Sequence, residues 1–269
     1  IRLVAPQGSN SYFLPQRAGD GYLFDEFEAL GIPREFEYAP LTGTDRALEF
    51  DPGTRWLYSN PGIATLGRLV EIHSGLPFEK FLEQRIFAPL GMKDSHIFLP
   101  AEKQQRLALI YHPEGDKMVR SSGKSYGGDA AAFRKNAKFS APEYGLYTTA
   151  TDLAAFYQMM LDGGVYRGKR LLSKASVDVM TMVHTAGITA GHSPGMAFGL
   201  TWEVVKEPLG ALTLRSIGAY GHGGAYGTYG WVDPQKKLVG VFLIQSDGGG
   251  GGGAARDNFM SIAGAAVLE

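Results

Sequence analysis

The chain contains no cysteine. That absence excludes a disulfide scaffold, a thiolate nucleophile and a metal site built on thiolates. The six histidines form neither an H-E-x-x-H nor an H-x-H pattern, so the sequence predicts no metal site and no cofactor. The lack of cysteine is compatible with any compartment and therefore favours none.

An excess of charge of one sign is also lacking, as are long apolar runs. The 269 residues include 26 Lys and Arg against 27 Asp and Glu, a formal net charge of −1. Such a chain offers no electrostatic footprint for nucleic acid or an anionic membrane. No apolar run approaches the ~18 residues of a membrane-spanning helix. We therefore expect a globular protein with no nucleic-acid partner and no membrane span.

No initiator methionine begins the chain, which starts at Ile1, and no signal peptide is visible. We expect a processed or incomplete product, so the start of the chain carries no information on targeting. The length suffices for one large domain, or two intimate ones, with a real core.

Glycine is abundant: it supplies 37 residues, about twice the usual share. Six form the run 248–253, which predicts a flexible loop. Six more fall between Gly218 and Gly230, among aromatic residues and in strand-like sequence. Such glycines suggest a backbone that another group approaches closely.

Hydrophobic periodicity changes near residue 196, from the helical period of 3.6 to the strand period of 2. Asn60 (followed by Pro61), Thr149 and Ser173 are each expected to cap a helix. The predicted helices are 61–74, with Leu66 and His73 on its apolar face, 77–88, 151–161, 174–183 and 256–268; the predicted strands are 198–206, 212–217, 229–232 and 238–245; and 100–142 is a predicted surface excursion.

This order of elements predicts an α+β fold. We expect a mainly helical part with long loops at 1–195, packed on an antiparallel sheet with a C-terminal helix at 196–269. The sheet would have three or four strands. It needs cover on both faces, which one C-terminal helix cannot supply.

One motif, residues 191–195, matches the G-x-S-x-G nucleophile elbow around Ser193. The oxyanion hole of an elbow needs the N–H of the next residue, and Pro194 has none. A strand rather than a helix is predicted to follow. We therefore interpret the motif as a turn.

A second motif, Ser121 with Lys124, has S-x-x-K spacing. On a buried helix this spacing lets an unprotonated Lys take the Ser proton. Here Gly123 lies between the two residues and no apolar periodicity follows, so the lysine would stay solvated and be a poor base. A mobile polar loop is the favoured interpretation.

Two further segments are stronger candidates for a catalytic role. Tyr58 and Asn60 lie two apart on a loop directly before a helix, where both side chains can point the same way. A phenol acts as a base only if its pKa is lowered by nearby cations. The alternative is a buried aromatic residue beside an N-cap Asn.

The other segment runs from His222 through Gly223 and Gly224 to Ala225. Residues without bulk let a substrate lie along a strand edge, where a backbone N–H can serve an oxyanion. His222 adds a protonatable group. The alternative is a glycine-rich hairpin with a surface histidine.

Read in order, these segments and several others resemble the serine β-lactamase-related superfamily of class C β-lactamases, D-Ala-D-Ala carboxypeptidases and related esterases. The resemblance covers the chain from about residue 48 to its end. The matching text is 50–53 (FDPG), 58–62 (YSNPG), 66–67 (LG), 87–92 (FAPLGM), 144–153 (YGLYTTATDL), 168–172 (GKRLL) and 221–224 (GHGG).

The resemblance implies a β-lactamase/transpeptidase-like fold and a role for each motif residue. Tyr58 would work in proton transfer, and Asn60 would contact the acyl side chain. His222, Gly223 and Gly224 would form the strand motif, and Ala225 would supply an oxyanion-hole N–H. Tyr58 and His222 would serve one cavity. The resemblance also favours a periplasmic or secreted location.

The family nucleophile, the Ser of an S-x-x-K pair ahead of the Tyr motif, is not found among the 57 residues before Tyr58. We expect that this segment is missing from the chain and belongs to the same protein. The leading hypothesis is a serine hydrolase that acts on an ester, amide or β-lactam acyl group through an acyl-enzyme. The histidine in the strand motif favours esters or peptides over β-lactams, because a neutral imidazole holds a carboxylate weakly. The alternatives are an inactive homologue or fragment that serves as a binding module, and a split protein whose two parts assemble.

Overall fold

The computed structural model describes residues 50–51, 53–121, 140–207, 209, 214–246 and 253–267. The chain forms two compact units. Within the described residues, the first unit contains those up to 83 together with 140–146, and the second contains 84–121 and those from 147 onward. The expected division at residue 195 stays a prediction.

The first unit contains helices α1 (Asn60–Ser74) and α2 (Phe78–Leu82). Gly67 lies against the ring of Pro142, so closely that a Cβ at Gly67 would fall 2.0 Å from a ring carbon. The buried residues of α1 are Ala64, Thr65 and Gly67. The predicted apolar face, which placed Leu66 and His73 inside, is wrong at both positions, because both are exposed.

Further short helical elements follow in the chain. A π-helical turn (Glu83–Phe87) leads into α3 (Ala88–Leu90), so the helix predicted over 77–88 ends slightly later. A 3-10 helix (Ala101–Arg106) and a hairpin of β1 (Tyr111–Glu114) and β2 (Lys117–Arg120) follow. The predicted surface excursion therefore contains regular structure up to residue 121; residues 122–139 lie outside the described part.

Helix caps fixed by the local sequence are confirmed here. Helix α4 (Ala150–Leu161) begins after Thr149, whose side chain accepts a hydrogen bond from the Asp152 N–H. A small hairpin, β3 (Val165–Tyr166) with β4 (Lys169–Arg170), comes next. Helix α5 (Lys174–Thr181) is capped by Ser173.

An antiparallel sheet of five strands in sequence order occupies the rest of the unit, rather than the expected three or four. The strands are β5 (Met196–Phe198), β6 (Glu203–Val205), β7 (Tyr220–Gly223), β8 (Tyr229–Asp233) and β9 (Leu238–Phe242), and helix α6 (Gly253–Ala265) follows them.

Two of the predicted strands are wrong. The segment 198–206 reverses direction, because the Gly199 N–H donates to the Trp202 carbonyl and Thr201 adopts a φ of +66°. Gly199 also lies against the Met180 carbonyl, where a Cβ would come within 2.4 Å. The described part of the second predicted strand, residues 214–217, is irregular, and the glycine-rich stretch itself supplies β7.

Helices cover both faces of the sheet. Neighbouring strand residues point to opposite faces. Tyr229 and Trp231 pack with Met260 of α6, whereas Gly230 between them receives the ring of Tyr157 from α4. Helix α4 therefore supplies the second cover that the C-terminal helix alone cannot, and the predicted α+β fold is confirmed.

Candidate active site

The segment before α1 is shaped by a turn. The Thr54 N–H and hydroxyl both donate to the Asp51 carbonyl, at 3.1 and 2.6 Å, and Gly53 adopts a φ of +86°. The chain then runs without regular structure through Trp56 to Tyr58. Local hydrogen bonding in the first unit therefore sets the approach to the Tyr motif.

Ser59, not Asn60, caps α1. Ser59 has extended backbone angles, and its hydroxyl accepts a hydrogen bond from the Gly62 N–H at 3.1 Å. Asn60 is the first helical residue and is half-buried. The predicted cap is therefore wrong by one position. Capping makes no demand on the Asn60 amide, which leaves that side chain available for another role.

Tyr58 lies at the surface of the first unit, with 36% of its area exposed. Its ring meets the edge of Trp56, with centroids 6.3 Å apart and planes inclined by 60°. A buried aromatic residue was the alternative interpretation of this position, and the exposure of Tyr58 contradicts it.

The strand motif lies where β7 changes from two partner strands to one. The register with β6 pairs Tyr220 with Val204 and ends at Gly221 with Glu203. The register with β8 continues through His222 to Gly223. The structure thus brings His222 and Gly223 to a strand end that β8 supports and the β6 ladder does not reach.

A tight turn follows the strand. Its hydrogen bonds run from the Gly224 N–H to the Thr228 carbonyl at 2.8 Å and from the Gly227 N–H to the Gly224 carbonyl at 3.0 Å. Neither bond uses the N–H of Ala225. Gly223, Gly224 and Ala225 are all exposed, so the backbone of this segment can meet a substrate.

Some glycines of this cluster, however, are approached by the chain itself. A Cβ at Gly221 would fall 2.4 Å from the Gly230 carbonyl oxygen, and one at Gly230 would fall 2.2 Å from the Tyr157 ring. The close approach predicted from composition therefore has two causes. Aromatic and backbone packing explains Gly221 and Gly230, whereas Gly223 and Gly224 are exposed, with the Thr228 hydroxyl lying against Gly224.

His222 is half-buried rather than a surface residue. Its Nδ1 donates to the Gly223 carbonyl at 2.7 Å, and its ring meets the edge of Phe198, with centroids 6.4 Å apart. Burial lowers the pKa of His222, although the bond to Gly223 and the charge of Glu203 oppose that shift. A neutral imidazole with its proton on Nδ1 has an acceptor at Nε2.

Sequence reasoning missed two residues beside this motif. Glu203 is a buried acid, 8% exposed, and its Oε1 accepts a hydrogen bond from the His192 N–H at 2.9 Å. The His192 ring packs against Phe198, with centroids 6.1 Å apart. The available signal was an acidic residue within an otherwise apolar strand, Trp202 to Val205.

The two rejected serines lie in non-helical structure. Ser193 is exposed in a turn in which its carbonyl accepts from the Met196 N–H, and strand β5 follows, as expected. Ser121 follows β2, and its N–H donates to the Ile110 carbonyl at 2.8 Å. Lys124 lies outside the described residues.

The strand motif and Ala225 belong to the second unit, whereas Tyr58 and Asn60 belong to the first. Each set is described within its own unit, and the shared cavity stays a prediction. Among the residues placed in the structure, no group of His, Asp and Glu is arranged to hold a metal ion. None of the helices that the structure describes has the length and apolarity to cross a bilayer.

Comparison with known proteins identifies the family. The Beta-lactamase family model matches residues 29–265. Lovastatin esterase of Penicillium rubens is 30% identical over 218 residues, covering 74% of this chain and 52% of that protein. A beta-lactamase of Pseudomonas fluorescens is 30% identical over 214 residues, covering 74% and 53% respectively. The chain thus spans about half the length of these curated relatives.

A solved structure shares the fold. EstCE1, described as a hydrolase with promiscuous acyltransferase activity, superposes with a TM-score of 0.67 at 22% identity, covering 95% of this chain and 68% of that one. At this identity the likeness concerns the fold, which is of the β-lactamase/transpeptidase type. Together with the family match over most of the chain, these findings show that the protein belongs to the beta-lactamase family of hydrolases.

Proposed function

We propose that the protein is a serine acyl-hydrolase that acts on esters. The observation that carries the proposal is the strand end at His222. There the β6 ladder stops, three small residues are exposed, and the turn leaves the Ala225 N–H out of its hydrogen bonds. An acyl group can lie along such an edge while a preorganised N–H stabilises the developing oxyanion.

The reaction follows the acyl-enzyme scheme. A serine hydroxyl adds to the substrate carbonyl, forming a C–O bond, and the leaving alcohol departs with the proton that the serine gives up. Water then releases the carboxylic acid and restores the hydroxyl. In this scheme Tyr58 relays the proton and Asn60 contacts the acyl side chain, as the family resemblance implies.

The state of His222 favours esters over β-lactams. Burial lowers the pKa of this imidazole, so at neutral pH it has no fixed positive charge to hold the carboxylate of a β-lactam or a peptide terminus. A neutral ester makes no such demand. The similarity to a lovastatin esterase is consistent with this preference.

No S-x-x-K pair precedes Tyr58 among the 269 residues. A binding module that keeps the strand motif without a nucleophile is therefore the second candidate. The two candidates differ in one observable property. An enzyme forms a covalent adduct at a serine, and a binding module does not.

The test uses a fluorophosphonate probe and a chromogenic ester on the 269-residue chain, and on the full product of its gene where that is longer. Mass spectrometry then locates the labelled residue. We expect label on a serine and turnover of p-nitrophenyl butyrate in the full gene product, and neither in the 269-residue chain, in which no S-x-x-K pair precedes Tyr58. Absence of label and turnover in the full gene product would favour the binding module.

A matched pair of variants tests the role of Tyr58. Tyr58→Phe removes the phenol oxygen from an exposed position, and Tyr111→Phe does the same at a tyrosine of similar exposure, 38%. We expect Tyr58→Phe to lower kcat/KM by about 10²-fold or more and Tyr111→Phe to leave it unchanged. Equal activity of the two variants would remove Tyr58 from the mechanism.

A further inference from the structure

Glu203 is an acid in an apolar setting. It opens β6, directly after the buried Trp202, and its side chain retains 11% of its exposure. A buried carboxylate is costly unless its oxygens are hydrogen-bonded or paired. Its Oε1 accepts from the His192 N–H at 2.9 Å and lies 3.5 Å from His192 Nδ1.

The position of Glu203 links it to the strand motif. It is the register partner of Gly221, the last pair of the β6–β7 ladder, and His222 is the next residue along β7. On β5, which pairs with β6, the ring of Phe198 contacts the rings of both His192 and His222. The carboxylate and its histidine partner therefore form one packed group with the motif.

Electrostatically, this strand end has a carboxylate close by. The charge of Glu203 favours the protonated form of His222, but burial outweighs it and the pKa of His222 remains below its ordinary value. The other titratable side chain that acts on the pKa of His222 is His192. With His222 neutral, Glu203 places a negative potential at the edge where the acyl group would lie.

We propose that Glu203 is a specificity-determining residue that makes this strand end select neutral acyl groups over acyl groups that carry a carboxylate. The proposal rests on the esterase function proposed above and narrows its substrate class. Two like charges in a partly desolvated site repel each other more strongly than in water. An acyl chain ending in a carboxylate therefore binds less well there than its neutral isostere.

Two esters that differ in one group provide the assay. The p-nitrophenyl monoester of adipic acid ends in a carboxylate, and p-nitrophenyl methyl adipate replaces that carboxylate with a methyl ester. The leaving group is the same in both. The measured quantity is the ratio of kcat/KM for the acid to that for the methyl ester, at about pH 8, where carboxylates are ionised.

Glu203→Gln removes the charge and keeps an oxygen that accepts from the His192 N–H. Glu207→Gln is the control, because Glu207 is an exposed acid four positions further along the chain. We expect Glu203→Gln to raise the ratio by ~3–10-fold, mainly through a lower KM for the acid. Glu207→Gln should change the ratio by less than about 2-fold, since exposed charges are screened.

The outcomes separate the two proposals. Turnover of both esters with an unchanged ratio in Glu203→Gln, or an equal loss for both, overturns the role of Glu203 and leaves the esterase standing. If Glu203→Gln does not fold, the wild-type ratio decides: a value near one overturns the proposal, and a strong preference for the methyl ester supports it. No turnover of either ester and no covalent label defeats the esterase proposal, and the inference falls with it.

Discussion

The two ends of strand β7 use the same residue type in opposite ways. At the first end, Tyr220 and Gly221 pair with strands on both sides and are buried, and the Tyr220 ring meets Trp202 with centroids 5.3 Å apart. At the second end, Gly223 pairs with β8 and is exposed, as is Gly224 beyond it. Glycine therefore permits close packing at the first end, here called the closed end, and leaves the backbone accessible at the second, the open end.

The buried end of β7 supports the exposed end that carries the motif. At the closed end, burial raises the pKa of Tyr157 and Tyr220, so these phenols stay neutral. At the open end, burial also lowers the pKa of His222. Burial thus decreases along β7 from Tyr220 to the half-buried His222, and the exposed turn beyond it follows a packed support.

Gly230→Ala should have the largest effect, because Gly230 is buried in the sheet as the β8 register partner of His222. The new Cβ would fall 2.2 Å from the Tyr157 ring, and a packed core tolerates such an intrusion poorly. We expect the free energy of unfolding to drop by about 3 kcal/mol, measured by denaturant titration.

Gly187→Ala is the control for that variant, since a Cβ there meets nothing within 4 Å. Its unfolding free energy should change by no more than about 0.5 kcal/mol. Adding Tyr157→Leu to Gly230→Ala should recover part of the loss, as expected for two residues in contact. A Gly230→Ala protein as stable as the wild type would show that the sheet does not depend on the packing of Tyr157 against Gly230.

Ala225→Pro changes the exposed turn at the open end. Ala225 is the second residue of the turn closed by the Gly227 N–H and the Gly224 carbonyl, a position where proline is often accepted. Proline removes the N–H assigned to the oxyanion. We expect kcat to fall by about 10²–10³-fold with little change in the unfolding transition.

Ala225→Gly keeps the N–H and serves as the matched control. It should retain activity within several-fold of the wild type, whereas a donor lost to proline cannot be replaced. If Ala225→Pro turns over esters normally, the oxyanion donor lies elsewhere and the open end is a binding surface without a catalytic N–H.

Signals held within a few residues allowed much of this molecule to be predicted from sequence. The caps at Thr149 and Ser173 were found because each requires one side chain and one nearby N–H. The cap of α1 was misplaced by one residue, because Ser59 and Asn60 are both good capping types and backbone angles decide between them.

The features that failed depend on contacts distant in sequence. The hairpin at Gly199 requires the Met180 carbonyl, and the burial of Glu203 requires the His192 loop. Neither partner is visible in the local pattern. The glycines of β7 and β8 announced a close approach, but composition could not separate Gly230, filled by Tyr157, from the exposed Gly223.

Gly224→Ala tests the boundary between the two ends with a smaller expected effect. Its Cβ would fall 2.2 Å from the Thr228 hydroxyl oxygen, a side-chain atom that rotation can move. We expect a loss of about 1 kcal/mol in unfolding free energy. Adding Thr228→Ala removes the clashing atom and should restore most of it. A loss that persists in the double variant would mean that the turn backbone itself, rather than the hydroxyl, excludes a side chain.

The smallest effect concerns the proton on His222. Burial holds its pKa in the folded protein below the ordinary value, which is about 6.5 for an imidazole in the unfolded chain. As the pH falls below about 6.5, the unfolded chain binds a proton that the folded protein refuses, so the free energy of unfolding decreases. Above that pH neither state is protonated at this site, and the contribution is constant.

His222→Gln removes this titration. Unfolding free energies measured between about pH 8 and pH 5 should therefore fall less steeply for the variant than for the wild type. His96→Gln should flatten the slope in the same direction, because burial also lowers the pKa of His96. The contrary result would be a wild-type slope for His222→Gln together with a flatter slope for His96→Gln. It would mean that His222 is solvated in the folded protein and that the buried part of β7 ends before the motif histidine.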